Sequence, residues 1–176
     1  MARSSPTSGR AEHQLPRDTF SIEPARADDA AEFIQLRGRT RENAVSEFRL
    51  AGMGITATTW ATEVQTGLLL GFTASRCGRL VGYCFGNTEI GEIVVLALLP
   101  EAEGQGVGRT LLGHVVTALH TRGHRRLFLG CSSDPAVRSY GFYRHLGWRP
   151  TGAIDKHDDE VLELNLERDG TTGRVA

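Results

Sequence analysis

The segment Glu103-Gly104-Gln105-Gly106-Val107-Gly108-Arg109 constrains the fold of this chain more than any other. It follows an apolar run, Glu92–Leu99, that Pro100 stops. It precedes Leu111, Leu112, Val115, Val116 and Leu119, which recur at helical spacing. A strand must therefore become a helix across three glycines. Such a turn lets successive backbone N–H groups point at one place, and the helix N-terminus adds its positive dipole there. The product is an anion cradle suited to a pyrophosphate; the alternative is a Gly-rich turn that binds nothing. Two other phosphate loops fail on residue type. A Walker A loop ends in Gly-Lys-Ser/Thr, and this chain has Gly108-Arg109-Thr110. A dinucleotide fingerprint would need a glycine at Arg109 or at Leu111.

The surroundings of that loop read as one domain. Residues 1–18 are rich in Ser, Pro, Gly and Arg and read as a disordered leader, residues 19–167 as the folded domain, and 168–176 as a flexible tail. Thr19–Glu23 reads as a strand and Asp28–Leu36 as a helix, with Asp28 as N-cap. From Arg37 to Thr66 the pattern is weak; Ala44–Leu50 and Thr58–Gln65 are helical stretches. Leu68–Ala74, Leu80–Phe85 and Glu92–Leu99 read as an antiparallel meander. After the glycine helix, which Gly123 caps, come the strand Arg126–Cys131 and a helix opened by Ser133-Asp134-Pro135, with Asp134 as N-cap, and ended by Gly147. Trp148–Gly152 and Val161–Leu166 are the closing strands. The class is α/β, a single domain with a mixed, mostly antiparallel sheet flanked by helices.

Charge and cysteine usage exclude several function classes. The 20 basic and 21 acidic residues give a net charge of −1, so neither nucleic acid nor a membrane surface is expected as partner. No apolar run approaches the roughly 18 residues of a membrane span. Cys77, Cys84 and Cys131 form no CxxC spacing, which argues against a disulfide framework or a zinc site and for a cytoplasmic location. His120 and His124 are separated by Gly123 and crowded by arginines, so no metal is expected there.

A second segment, Arg138-Ser-Tyr-Gly-Phe142-Tyr143-Arg-His-Leu-Gly147-Trp148, stands a helix and a strand beyond the glycine loop. Together the two segments resemble the GNAT acetyltransferase superfamily. The loop resembles that superfamily's Gln/Arg-x-x-Gly-x-Gly/Ala motif, with Glu103 at the first position. The second resembles its Asn-x-x-Ala-x-x-Phe-Tyr-x-x-x-Gly-Phe segment, with Ala136 in place of Asn and Ser139 in place of Ala. A carboxylate would repel a pyrophosphate, so Glu103 is expected to point outward.

The resemblance implies acetyl-CoA as cosubstrate, no metal, and transfer of acetyl to a primary amine, taken here as that of a small molecule. A protein N-acetyltransferase and a non-catalytic coenzyme A-binding module or sensor are the other readings, and a homodimer is left open. It also implies that Gly104, Gln105, Gly106, Val107, Gly108 and Arg109 cradle the pyrophosphate, with Arg138 or a backbone group substituting for the missing Asn. Leu96 and Leu98 would offer their backbone to the pantetheine arm. Tyr143 is the candidate acid for the leaving thiolate, since a phenol titrates near ~10 and recovers its proton, with Tyr140 in reserve. Glu92, at the head of the strand before the loop, is the candidate base, resembling the glutamate of the histone-acetyltransferase branch. The acidic run Asp155–Glu160 would suit a cationic amine.

Overall fold

The computed structural model describes residues 19–42 and 44–166; the expected leader and tail lie outside the described residues. Strand β1 is Ser21–Pro24, and a 3-10 turn at Ala27–Asp29 leads into helix α1, Ala30–Arg37. Helices α2, Glu47–Gly52, and α3, Ala57–Thr66, follow. The meander is β2, Leu69–Arg76, β3, Arg79–Asn87, and β4, Ile93–Leu98. Helix α4 spans Val107–Thr121, β5 Arg126–Cys131, α5 Arg138–His145, β6 Arg149–Ile154 and β7 Glu160–Asn165. Every expected element exists, in the expected order.

Local chemistry explains where the elements start. Ser46 caps α2 by accepting from the Arg49 N–H, and Thr56 with Thr59 forms a reciprocal capping box on α3. Two expected caps are corrected. Asp28 does not cap α1: it sits within the 3-10 turn, and its carboxylate pairs with Arg26 at 3.5 Å in solvent. Asp134 does not open α5. Its Oδ1 accepts from the Ala136 N–H at 2.8 Å, a local turn that competes with the helix and delays its start to Arg138.

The sheet is two antiparallel halves. One has the order β1-β2-β3-β4 and the other β5-β7-β6. They touch through a parallel bridge between Glu92 and Phe128, reinforced by the Phe128 N–H donating to Gly91 O at 3.2 Å. Beyond it no ladder joins β4 to β5 among the described residues. The register shows why. Phe85 faces Val95 and Gly86 faces Ile93, so Val94 is an unmatched, exposed residue of β4. A bulge of this kind bends its strand and raises the local twist. It turns β4 away from β5 and opens a V between the halves.

Helices fix both faces of the first half. Tyr83 and Phe85 point one way, onto α1 and α3, where Phe33 lies 5.8 Å from Trp60, 5.2 Å from Tyr83 and 5.1 Å from Phe85, ring centre to ring centre. The Tyr83 hydroxyl is satisfied by donating to Phe33 O at 3.0 Å. Gly86 points the other way, toward α4. A Cβ there would fall 2.8 Å from Leu119 Cδ1 and 2.9 Å from Val115 Cγ1, so the glycine lets α4 approach the sheet closely. Phe33→Ala removes the ring at the centre of the aromatic cluster. It is expected to lower stability by about 3–5 kcal/mol, read from the denaturant midpoint at constant m-value.

Candidate active site

A cavity of about 800 Å³ occupies the open arm of the V. Its floor is Leu96, Ala97 and Leu98 of β4, one end is the glycine loop, and its far wall is α5. The strand brings more than side chains. Past the bridge its outer edge has no partner strand among the described residues. Backbone N–H and C=O groups on such an edge need partners. An extended ligand lying along β4 could supply them.

The glycine loop sits where β4 delivers it. Pro100–Ala102 forms a 3-10 turn after the strand, and the chain then reverses through Gly104 and Gly106, at φ +71° and +79°. Gly106 is also the N-cap of α4, and a Cβ built on it meets nothing within 4 Å. Backbone is thus presented to open space at the positive end of a 15-residue helix. Gln105 holds the turn by donating its Nε2–H to Glu101 O at 2.6 Å. Arg109 projects into the cavity from the first turn of α4.

Of the residues singled out from sequence, Leu96, Leu98, Gly104, Gly106, Gly108, Arg109, Arg138 and Tyr143 all line this cavity. Gln105 and Val107, also expected in the cradle, lie outside the lining: Gln105 is exposed and Val107 is buried in the core. Tyr140 lies outside the lining, with the Arg144 guanidinium stacked 3.6 Å over its ring. Tyr143 lies inside, packed against Phe142 and Trp148 at 5.1 and 6.1 Å between ring centres. Burial pushes its phenol well above the ordinary value; nearby Cys84 and Cys131 add to this and the positive Arg37 opposes it.

Glu92 lies outside the lining, at the closed end of the V. Burial raises its carboxyl above the usual range, Asp155 adds to the shift, and Lys156 opposes it. The Asp155 carboxylate lies against Gly130 of β5 and takes the N–H groups of His157 and Asp159 at 2.7 and 3.0 Å. The acidic hairpin is therefore folded around Asp155 beside the bridge. Asp159 is raised too, by burial first and then by Asp155.

Two features were not legible in the sequence. Glu103 does not point outward. Its side chain is only 15% exposed and pairs with Arg41 at 3.0 Å and with Arg138. The last residue of α1, Arg37, and the loop after it, with Thr40, Arg41 and Glu42, also form part of the cavity wall. In the sequence these residues carry no hydrophobic period. The one signal is the density of charge just before the Ser46 cap.

Comparison with known proteins places this geometry in a family. The sequence pattern of the acetyltransferase (GNAT) family matches residues 32–148. No curated protein sequence matches the chain. Among solved structures, the PaiA N-acetyltransferase of Thermoplasma acidophilum in complex with coenzyme A aligns with a TM-score of 0.63 at 17% identity, over 84% of this chain and 99% of that one. The ribosomal-protein-S18-alanine N-acetyltransferase of Escherichia coli aligns at 0.64 and 19% identity, over 86% and 97%. An aminoglycoside 6'-acetyltransferase type Ii aligns at 0.61 and 18%, over 83% and 97%. At these identities the structural likeness is one of fold.

The Glu92 site yields a prediction about stability. A carboxyl whose pKa is raised in the folded protein holds its proton more tightly there than in the unfolded chain. Its contribution to stability is full at low pH and is lost as pH rises from 4.5 through the folded value. Glu92→Gln keeps the neutral form at every pH. Thermal melts should show the variant above wild type at neutral pH, with the gap closing below about pH 4. The family match spans more than half of the chain and agrees with the split sheet and its glycine loop, so the chain belongs to the acetyltransferase (GNAT) family of acyltransferases.

Proposed function

We propose that the protein transfers the acetyl group of acetyl-CoA to a primary amine of a small molecule. The observation that carries this reading is the continuity of the cavity, from the unpaired edge of β4, past Tyr143, to the glycine cradle. The pantetheine arm would pair with the backbone around Leu96 and Leu98 as an added strand. Its pyrophosphate would lie on the N–H groups from Gly104 to Gly108, with Arg109 and Arg138 adding charge. The GNAT relative from Thermoplasma acidophilum was solved with coenzyme A.

In the reaction the amine nitrogen attacks the thioester carbonyl carbon and the C–S bond breaks. The amide forms, and the coenzyme A sulfur leaves as a thiolate that gains a proton. Backbone N–H groups near Leu98 would steady the carbonyl oxygen as charge develops on it. Tyr143 meets the sulfur as a hydrogen-bond donor; burial makes its phenol a weaker acid than usual, which favours hydrogen bonding to the thiolate over full transfer of the proton. The Arg37 charge, which opposes that shift, eases the transfer. Glu92 accepts the amine proton. From its place at the closed end it does so through an intervening water rather than by contact. A raised pKa makes it a stronger base than an ordinary carboxylate.

Two features support a small, cationic acceptor. The α1–α2 loop walls the cavity and is tied to α5 at its glycine end, where Glu42 accepts from the Arg138 backbone N–H at 3.0 Å, so the acceptor is left to enter a bounded cavity from the bridge side. Glu92, Asp155 and Asp159 gather three carboxyl groups near the bridge, with Lys156 also within reach of Glu92. The solved relatives include enzymes named for an aminoglycoside and for a ribosomal protein. Thiol release from acetyl-CoA should accordingly be faster with small amines than with peptides. A reversed ranking would assign a protein acceptor, and binding without thiol release would make the chain a coenzyme A sensor.

Gly106→Val forces a β-branched residue into a left-handed backbone and fills the space over the cradle. Calorimetry should show acetyl-CoA binding lost in a folded variant. Tyr143→Phe should lower kcat by roughly 10²–10⁴-fold at nearly unchanged acetyl-CoA affinity. Glu92→Gln should lower the rate most at low pH, where the amine is protonated.

A further inference from the structure

The rim of the cavity beside the glycine loop carries a charge arrangement that the acetyl-transfer chemistry does not call for. Glu103 Oε2 takes Arg41 Nε at 3.0 Å and also the Arg138 guanidinium. Arg41 belongs to the α1–α2 loop and Arg138 is the first residue of α5. The Arg138 backbone N–H donates to Glu42 Oε2 at 3.0 Å. Three segments remote in sequence are thereby joined at one edge of the cavity, and Arg41, Glu42, Glu103 and Arg138 all line it.

A carboxylate is the wrong charge for a phosphate site unless it acts on something else. Two guanidiniums share this one; Glu42 on the Arg138 backbone brings these four groups to balance, and Arg37 and Arg109 of the same lining leave the cavity wall positive. Each guanidinium is a planar fork of five N–H donors. Arg138 donates one Nη1–H to Glu103, and Arg41 is ion-paired to the same carboxylate through Nε at 3.0 Å, so both stems are tethered to one point. A long arginine stem normally loses rotamer freedom when it grips an anion. A partner that has already fixed the stem removes that cost from binding.

Resting on the reading of this cavity as the acetyl-CoA site, we propose that Glu103 is a positioning residue that holds Arg41 and Arg138 as a paired clamp on the cofactor's phosphates. Arg41 is then a further phosphate contact, drawn from a loop outside the glycine motif. Glu103 takes the first position of that motif because here the cations come from elsewhere.

Coulomb attraction alone predicts the opposite of positioning, so the sign of one measurement decides. Coenzyme A binding is measured by calorimetry for wild type, Glu103→Ala, Glu103→Gln, Arg41→Ala/Arg138→Ala, and that double variant with Glu103→Ala added, each checked for a native melt. Glu103→Ala and Glu103→Gln should weaken binding, the former by about tenfold, the scale of one charge-assisted hydrogen bond. In the background lacking both arginines, Glu103→Ala should weaken nothing further. Pantetheine, which carries the same thiol arm without phosphates, should bind wild type and Glu103→Ala alike. Tighter or unchanged coenzyme A binding in Glu103→Ala would overturn the clamp. So would a loss that persists without the arginines, or an equal loss with pantetheine. Wild type that fails to bind coenzyme A would remove the cofactor reading itself; wild type that binds, with a tighter Glu103→Ala, would remove only the clamp.

Discussion

Two strands that touch for one parallel bridge and then part govern the rest of this molecule. A sheet stays closed while each strand finds a partner, and the unmatched Val94 denies β4 that partner beyond Glu92. Everything chemical follows the gap. The floor of the cavity is the strand that lost its neighbour, and the glycine loop is where that strand is delivered. The core makes the gap affordable. Phe33, Trp60, Tyr83 and Phe85 on one face, with Leu111, Val115 and Leu119 of α4 on the other, anchor β3 so firmly that β4 can be held from one side alone.

Charge is distributed along the same axis. A net charge of −1 conceals two ends of opposite sign. Arg109, Arg41 and Arg138 gather at the glycine end of the cavity, while Glu92, Asp155 and Asp159 gather at the bridge. The cationic end suits the cofactor's phosphates and the anionic end suits the proposed amine. Whole-chain arithmetic, which argued against nucleic acid, says nothing of this internal polarity.

The glycine loop was legible because its chemistry is local. Alternating apolar runs, the helical period from Leu111 to Leu119 and the glycines after α4 and α5 each report a backbone state within a few residues. Asp134 misled for the same reason: a side chain that can cap a helix can equally close a turn two residues on, and only the neighbouring chain decides. What stayed hidden was long-range. Nothing near Glu103 announces that Arg41 and Arg138 will meet it, nor does anything near Val94 announce a bulge set by the register of β3. The stretch from Arg37 to Glu42 was opaque because it presents charge to a cavity rather than burying one face. Such a stretch has no period to read, and the short helices after it are fully buried only at Leu50 and Trp60.

The bridge between Glu92 and Phe128 is also a fulcrum. From it, β4 runs out to Leu98 and hands over to the glycine cradle, gaining about 3.3 Å per residue. A small rotation of one half-sheet about that short hinge becomes a large sideways travel at the far end. The far end is also where Glu42 and Glu103 hold the first residue of α5, so those contacts act at the longest lever arm from the bridge and resist such a rotation most effectively.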